Sequence, residues 1–110
     1  MREIKFREWQ HQEKKMYHID LHNEALLSTN KHDVLMQWTG LRDKNDVEIY
    51  EGDIVNLGTE LNFTVQYDLA SFKLVHPIRK EMCILEIAYK NDDIEVIGNI
   101  YESSSLLETD

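Results

Sequence analysis

Apolar residues recur at every second position in this chain, and that spacing constrains its fold more than any other feature. Ile4 and Phe6 alternate with Lys5 and Arg7, and Tyr17, Ile19 and Leu21 alternate with His18, Asp20 and His22. Leu61, Phe63, Val65 and Tyr67 alternate with Asn62, Thr64 and Gln66, and Cys83, Leu85, Ile87 and Tyr89 share one face of 82–89. Side chains two apart lie on one face of a strand, so these segments read as half-buried strands. The run Ile94–Tyr101 is nearly all apolar, and its spacing predicts a central strand buried on both faces. About eight short strands are expected in all. Helix is expected only in two places. One is residues 23–30, where Asn23 can cap Glu24-Ala25-Leu26-Leu27, and the other is a single turn from Ser103 to Glu108.

The turns are built from Asn and Asp rather than Gly and Pro, of which the chain has four and one. Asp43-Lys44-Asn45-Asp46, Tyr67-Asp68-Leu69-Ala70-Ser71 and Lys90-Asn91-Asp92-Asp93 each separate two apolar runs. Asx side chains bond to nearby backbone and tolerate a left-handed conformation, so these read as hairpin connections. The expected fold is mostly β: a small antiparallel barrel, SH3-like or related, with an N-terminal β-hairpin. At 110 residues it reads as a single domain over 1–110.

Charge and cysteine content narrow the function classes. The chain carries 12 Lys and Arg against 21 Asp and Glu, a net charge of −9. Such a chain repels phosphate backbones, so sequence-independent nucleic-acid binding is disfavoured. The balance is uneven. Residues 1–15 hold five basic and three acidic side chains, leaving seven against eighteen, a net −11, over the remainder. A basic N-terminal strand on an acidic body implies either head-to-body packing or charges coating a solvated strand face. One cysteine, Cys83, excludes an internal disulfide. No stretch is long and apolar enough to span a membrane, and the N-terminus does not read as a secretory signal. Together these features point to a reducing cytoplasm.

The densest segment is the 21-residue stretch from Leu35 to Val55. It contains Gln37-Trp38-Thr39-Gly40-Leu41-Arg42-Asp43-Lys44-Asn45, then Glu48-Ile49-Tyr50-Glu51-Gly52-Asp53-Ile54-Val55. Physically it is strand, turn, strand, tight turn, strand. It resembles the central segment of the YopX family of bacteriophage and prophage proteins. The opening Ile4-Lys5-Phe6-Arg7-Glu8-Trp9, the following Lys14-Lys15-Met16-Tyr17 and the closing Glu95-Val96-Ile97-Gly98-Asn99-Ile100-Tyr101-Glu102 resemble that family's other blocks, in the same order. Asp46 stands where Gly is usual, and the segment from Asn23 to Asp33 is shorter than in many members. The resemblance implies a small β-rich phage protein without an assigned enzymatic activity, and it supplies no catalytic residues.

Several constellations carry chemistry of their own. His18-x-Asp20-x-His22 places two imidazoles and a carboxylate on one strand face, the donor set of a zinc site. The alternative is the wet face of a strand, since one ion would need a bulge to reach all three. His11 and His32-Asp33 are possible additions to such a site. Cys83 with His76 has the residue types of a nucleophile and base, against a reading of Cys83 as a small buried hydrophobe. Glu48, Glu51 and Asp53 gather around Gly52, either as a carboxylate cluster or as a solvated turn. Trp9, Trp38 and Tyr50, with Arg42 and Arg7 nearby in sequence, have the composition of interface anchors or of core.

Trp9, Trp38, Arg42, Tyr50, Glu51 and Asp53 are therefore the candidate interaction residues, with no catalytic residue and no cofactor expected. The expected role is a non-enzymatic phage accessory protein that binds a host or phage protein, including a nucleic-acid-binding or defence protein. The competing readings are a nucleic-acid-binding module using the basic N-terminal strand and a metal-dependent hydrolase at His18, Asp20 and His22. Edge strands also invite pairing into a homo-oligomer.

Overall fold

A computed structural model of the chain describes residues 4–19, 33–59, 61–68, 70–76, 82–85 and 93–107. The strands are β1 (Phe6–Gln10), β2 (Lys15–Ile19), β3 (Val34–Arg42), β4 (Glu48–Tyr50), β5 (Asp53–Asn56), β6 (Asn62–Asp68), β7 (Ser71–Val75), β8 (Met82–Ile84) and β9 (Glu95–Asn99), followed by a 3-10 turn (Ser104–Leu107). They form two antiparallel sheets, ordered β2-β1-β3-β4 and β8-β7-β6-β5-β9. One of the two is curled into a half-barrel. The mostly β expectation, the small barrel and the N-terminal hairpin (β1 paired with β2) all hold. The helix expected over 23–30 lies outside the described residues. The turn expected near the C-terminus is present as the 3-10 segment.

The alternating residues build the core as their spacing dictates. Phe63 and Val65 of β6, Val55 of β5, Leu74 of β7, Ile49 of β4, Leu85 and Ile94 form one buried cluster. Each such side chain contributes about 1.5–3 kcal/mol relative to exposure. Ile49 arrives from the first sheet, Val55, Phe63, Val65 and Leu74 from the second, and Leu85 and Ile94 from the chain just beside β8 and β9, so this cluster joins the two. On β1 the pattern breaks. Arg7, Glu8 and Trp9 are all buried, so charge at alternate positions does not mark a solvated face there.

One expectation is corrected. Ile94–Tyr101 is not a central strand buried on both faces: β9 lies at the edge of its sheet, paired only with β5 among the described strands. The register slips between Ile54 and Val55, whose partners are Gly98 and Val96, so Ile97 is the extra residue of a bulge and is exposed. A bulge at an edge re-aims a side chain and blunts further pairing. The outer side of β9 is covered at its start by the turn after β3. Lys44 donates its amide to the Ile94 carbonyl at 3.1 Å, and Val96 donates to Asp43 Oδ2 at 2.8 Å.

Gly52 is the point where the sheets close on one another. Its amide donates to the Val65 carbonyl at 2.8 Å, and its carbonyl accepts from Ile100 at 2.9 Å. Its φ is +85°, and a Cβ there would lie 2.8 Å from Met36 Sδ. An L-residue pays about 1–2 kcal/mol for a left-handed backbone, and the thioether end can give way. Gly52→Ala is expected to destabilise by about 2 kcal/mol, read as a lower urea midpoint at unchanged slope. A loss within experimental error would mean that the turn relaxes freely.

Candidate functional site

Lys5, Arg7 and Trp9 share one face of the N-terminal strand, and each finds a different partner. Arg7 is the centre. Its Nη2 donates to Asp53 Oδ1 at 2.7 Å and to the Glu51 carbonyl at 3.2 Å. Its guanidinium lies 4.7 Å from the Tyr50 ring centroid. Its Nε is buried with no hydrogen-bond partner among the described residues. The other oxygen of Asp53 accepts the Tyr50 amide at 2.7 Å. Asp53 is 2 % exposed, and burial pushes its carboxyl up, while the Arg7 charge and the Tyr50 amide pull it down. The expected solvated turn around Gly52 is thus corrected at Asp53, which faces the join of the two sheets.

Tyr50 connects this buried pair to the surface. Its ring is met edge-on by His18 at 5.7 Å, and its hydroxyl donates to Glu48 Oε1 at 3.3 Å. Burial first, and the neighbouring Glu48 second, push its phenol up to about 12. Glu48 Oε2 accepts Lys5 Nζ at 2.6 Å, and that bond holds the Glu48 carboxyl below its ordinary value. Lys5 also lies 4.7 Å from the Trp38 ring centroid, with Arg42 at 5.9 Å from the same ring. The indole Nε1 donates to the Leu41 carbonyl at 3.0 Å. Arg42 is 3.6 Å from both Asp46 and Glu48, and its side chain is 46 % exposed.

The Tyr50 phenol yields a pH prediction. The unfolded phenol ionises near 10 and the folded one near 12, so its contribution is complete below pH 10 and is lost as pH rises towards 12. The full loss is at most about 3 kcal/mol. Tyr101, raised by burial and then by Glu51, acts in the same direction. Tyrosinate absorbance is expected to show a late fraction that rises together with unfolding. A single titration of all five tyrosines near pH 10, with the fold intact, would contradict this.

Of the six candidate interaction residues, Trp9, Tyr50 and Asp53 are buried, whereas Trp38, Arg42 and Glu51 reach the surface. Trp9 stacks on Tyr101 with centroids 5.4 Å apart, and Glu51 Oε1 accepts the Gln37 amide at 3.2 Å. Of the zinc candidates, His18 is exposed, while Asp20 and His22 lie outside the described residues, as does His32. No metal-holding group of three occurs among the described residues. The His11 amide donates to Asp33 Oδ1 at 2.8 Å. His76 is buried edge-on against Phe63 at 5.8 Å, and the Cys83 side chain lies outside what is described.

Three important residues were not singled out from sequence. Lys5 was read only as part of a basic strand, Arg7 as part of that strand and as a neighbour of the aromatic anchors, and Asp43 only as a turn former. Asp43 is 7 % exposed. Its Oδ1 accepts the amides of Asn45 at 2.8 Å and Val47 at 2.9 Å, and its Oδ2 accepts that of Val96 at 2.8 Å. The available signal for Arg7 was its place between Lys5 and Trp9 on one strand face. Of the two meanings of the basic strand, head-to-body packing holds for Lys5 and Arg7, and solvation holds for Lys14 and Lys15.

Comparison with known proteins places this geometry in a family. Three solved chains match. One is the crystal structure of protein EF1440 from Enterococcus faecalis, 26% identical, with a TM-score of 0.69 over 96% of this chain and 98% of that one. No curated protein matches. The family model described as YopX protein matches residues 20–108, which include the whole Asp43–Asp53 segment. The chain belongs to the YopX family.

Proposed function

We propose that this chain is a non-enzymatic accessory protein of a phage or prophage that acts by protein–protein contact in the cytoplasm of its bacterial host. The observation that carries the reading is how the carboxylates of its densest segment are used. Asp43 is filled by three backbone amides, and Asp53 by Arg7 and the Tyr50 amide. A carboxylate whose lone pairs are already engaged is a poor proton shuttle or metal ligand. These residues therefore act as scaffold, and the protein works through its surface. No helix among the described residues is long and apolar enough to cross a membrane.

The partner is a host or phage protein with a basic face, such as a nucleic-acid-binding or defence protein, attracted by the net charge of −9. Trp38, Arg42 and Glu51 are the sequence candidates that can touch it directly. The alternative nucleic-acid module is weakened because Lys5 and Arg7 are spent on Glu48 and Asp53.

A tagged chain incubated with infected-host lysate, at low and high salt, tests the reading. One specific protein retained at low salt and released at high salt is expected. Recovery of the chain alone, or retardation of nucleic acid in a gel shift at low salt, would overturn it.

A further inference from the structure

Among the described strands, β2 is a sheet edge with a neighbour on one side only. The other three edges are blunted. β4 and β8 have three residues each, and β9 is bulged and covered at its start by the turn after β3. β2 has five residues, all in unbroken register with β1. The ladders show which of its backbone groups face outwards. Trp38 donates its amide to the Lys5 carbonyl, so Lys5, Arg7 and Trp9 turn their backbone groups towards β3. These groups alternate sides along a strand, so Phe6, Glu8 and Gln10 turn theirs towards Ile19, Tyr17 and Lys15 of β2. Met16 and His18 therefore direct their N–H and C=O groups away from β1. No other element among the described residues bonds to them there. Met16 and Tyr17 are half-buried, and His18 is exposed.

We infer that β2 is the surface through which two copies of this chain pair, antiparallel, about a two-fold axis at Tyr17. The occupant is a second copy because this edge is its own complement. A two-fold axis at Tyr17 is the antiparallel register that pairs all five residues of β2. It sets each outward-facing Met16 opposite His18 of the second copy, and such a pair exchanges both of its backbone bonds. Tyr17 then faces Tyr17 in the intervening pair, where side chains approach most closely. No like charges stand opposite one another, since Lys15 faces Ile19 of the second copy. The two Lys15 side chains lie at opposite ends of the joint, about 13 Å apart along the strands and beyond a Debye length of about 8 Å. The two four-stranded sheets become one of eight strands. The inference does not rest on the protein-contact reading above, and salt separates the two. The net charge of −9 on each copy opposes self-pairing, so salt favours it, whereas a basic partner is released by salt.

Sedimentation of the full chain over a concentration series reaching about 1 mM tests the inference. A joint this small holds weakly, so monomer and dimer should exchange within that range, with added salt favouring the dimer. Tyr17→Lys and Tyr17→Glu each place like charges directly opposite, and each is expected to weaken pairing at least about tenfold. Mixed in equal amounts, the two variants should recover most of that loss, because Lys then faces Glu across the axis. The Tyr17 hydroxyl bonds only to the exposed Glu13, so both variants should keep the circular dichroism of the wild-type monomer. A wild type that stays monomeric throughout, a dimer undiminished in either variant, or a mixture no stronger than its parts would overturn the inference. Hydrogen exchange of the wild type decides it even if both variants unfold. The Met16 and His18 amides should gain protection as concentration rises, and rates that stay constant would overturn the pairing.

Discussion

Arg7→Met is expected to destabilise the fold by about 3–5 kcal/mol, the usual loss when one partner of a buried ion pair is removed. A domain of this size has only about 5–15 kcal/mol in total, so the variant should sit near the edge of unfolding. The loss comes less from the missing bond than from what remains. Asp53 would keep its charge at 2 % exposure, with only the Tyr50 amide beside it. The penalty should depend on pH. Burial already raises Asp53, and removing Arg7 raises it further. A raised carboxyl destabilises the folded chain only where it must ionise, so the penalty fades as pH falls towards about 4 and grows towards about 7. Urea titrations at both ends of that range measure it. A penalty below about 1 kcal/mol, flat with pH, would mean that the pair merely breaks even against an apolar side chain.

The second large effect is at Asp43. Replacement by alanine leaves the amides of Asn45, Val47 and Val96 without their acceptor. Water can reach the exposed turn residues Asn45 and Val47, but it reaches the partly buried Val96 less easily. With an orphaned amide costing about 1–3 kcal/mol, a total near 3 kcal/mol is expected. Hydrogen exchange adds a local readout. The Val96 amide should lose protection even under conditions where the core of β6 keeps it. Asp43→Asn should recover part of the stability, since one oxygen can still serve the turn. If Asp43→Ala and wild type unfold at the same urea concentration, the turn holds its shape without the carboxylate.

The strand framework was legible because burial of one strand face writes itself into the sequence with period two. Tyr17 and Ile19, or Phe63 and Val65, need no knowledge of distant residues to be read correctly. The errors share a different cause. Ile94–Tyr101 is apolar, but apolarity reports contact with core and not rank within a sheet, so an edge strand was taken for a central one. Arg7 and Asp53 are 46 positions apart, and each alone looks like a surface charge. Their burial exists only once the two sheets meet. Asp43 shows both cases in one side chain. Its bonds to Asn45 and Val47 follow from local turn chemistry, whereas its bond to Val96 spans 53 positions and leaves no local trace. The same limit applies to the interaction candidates, where residue type was read without the geometry that buries Trp9 and leaves Trp38 half-buried.

The stack of Trp9 on Tyr101 has a consequence for how the chain is made. β1 pairs with both β2 and β3, yet its tryptophan rests on a ring near the other end of the sequence. A ribosome releases β1 well before the segment around Tyr101 that covers it. The emerging strand must therefore keep its tryptophan ring waiting until Tyr101 is free. Contacts so distant in sequence favour folding in milliseconds to seconds rather than microseconds. Loss of the Tyr101 ring would therefore be felt first at β1, far from it in sequence.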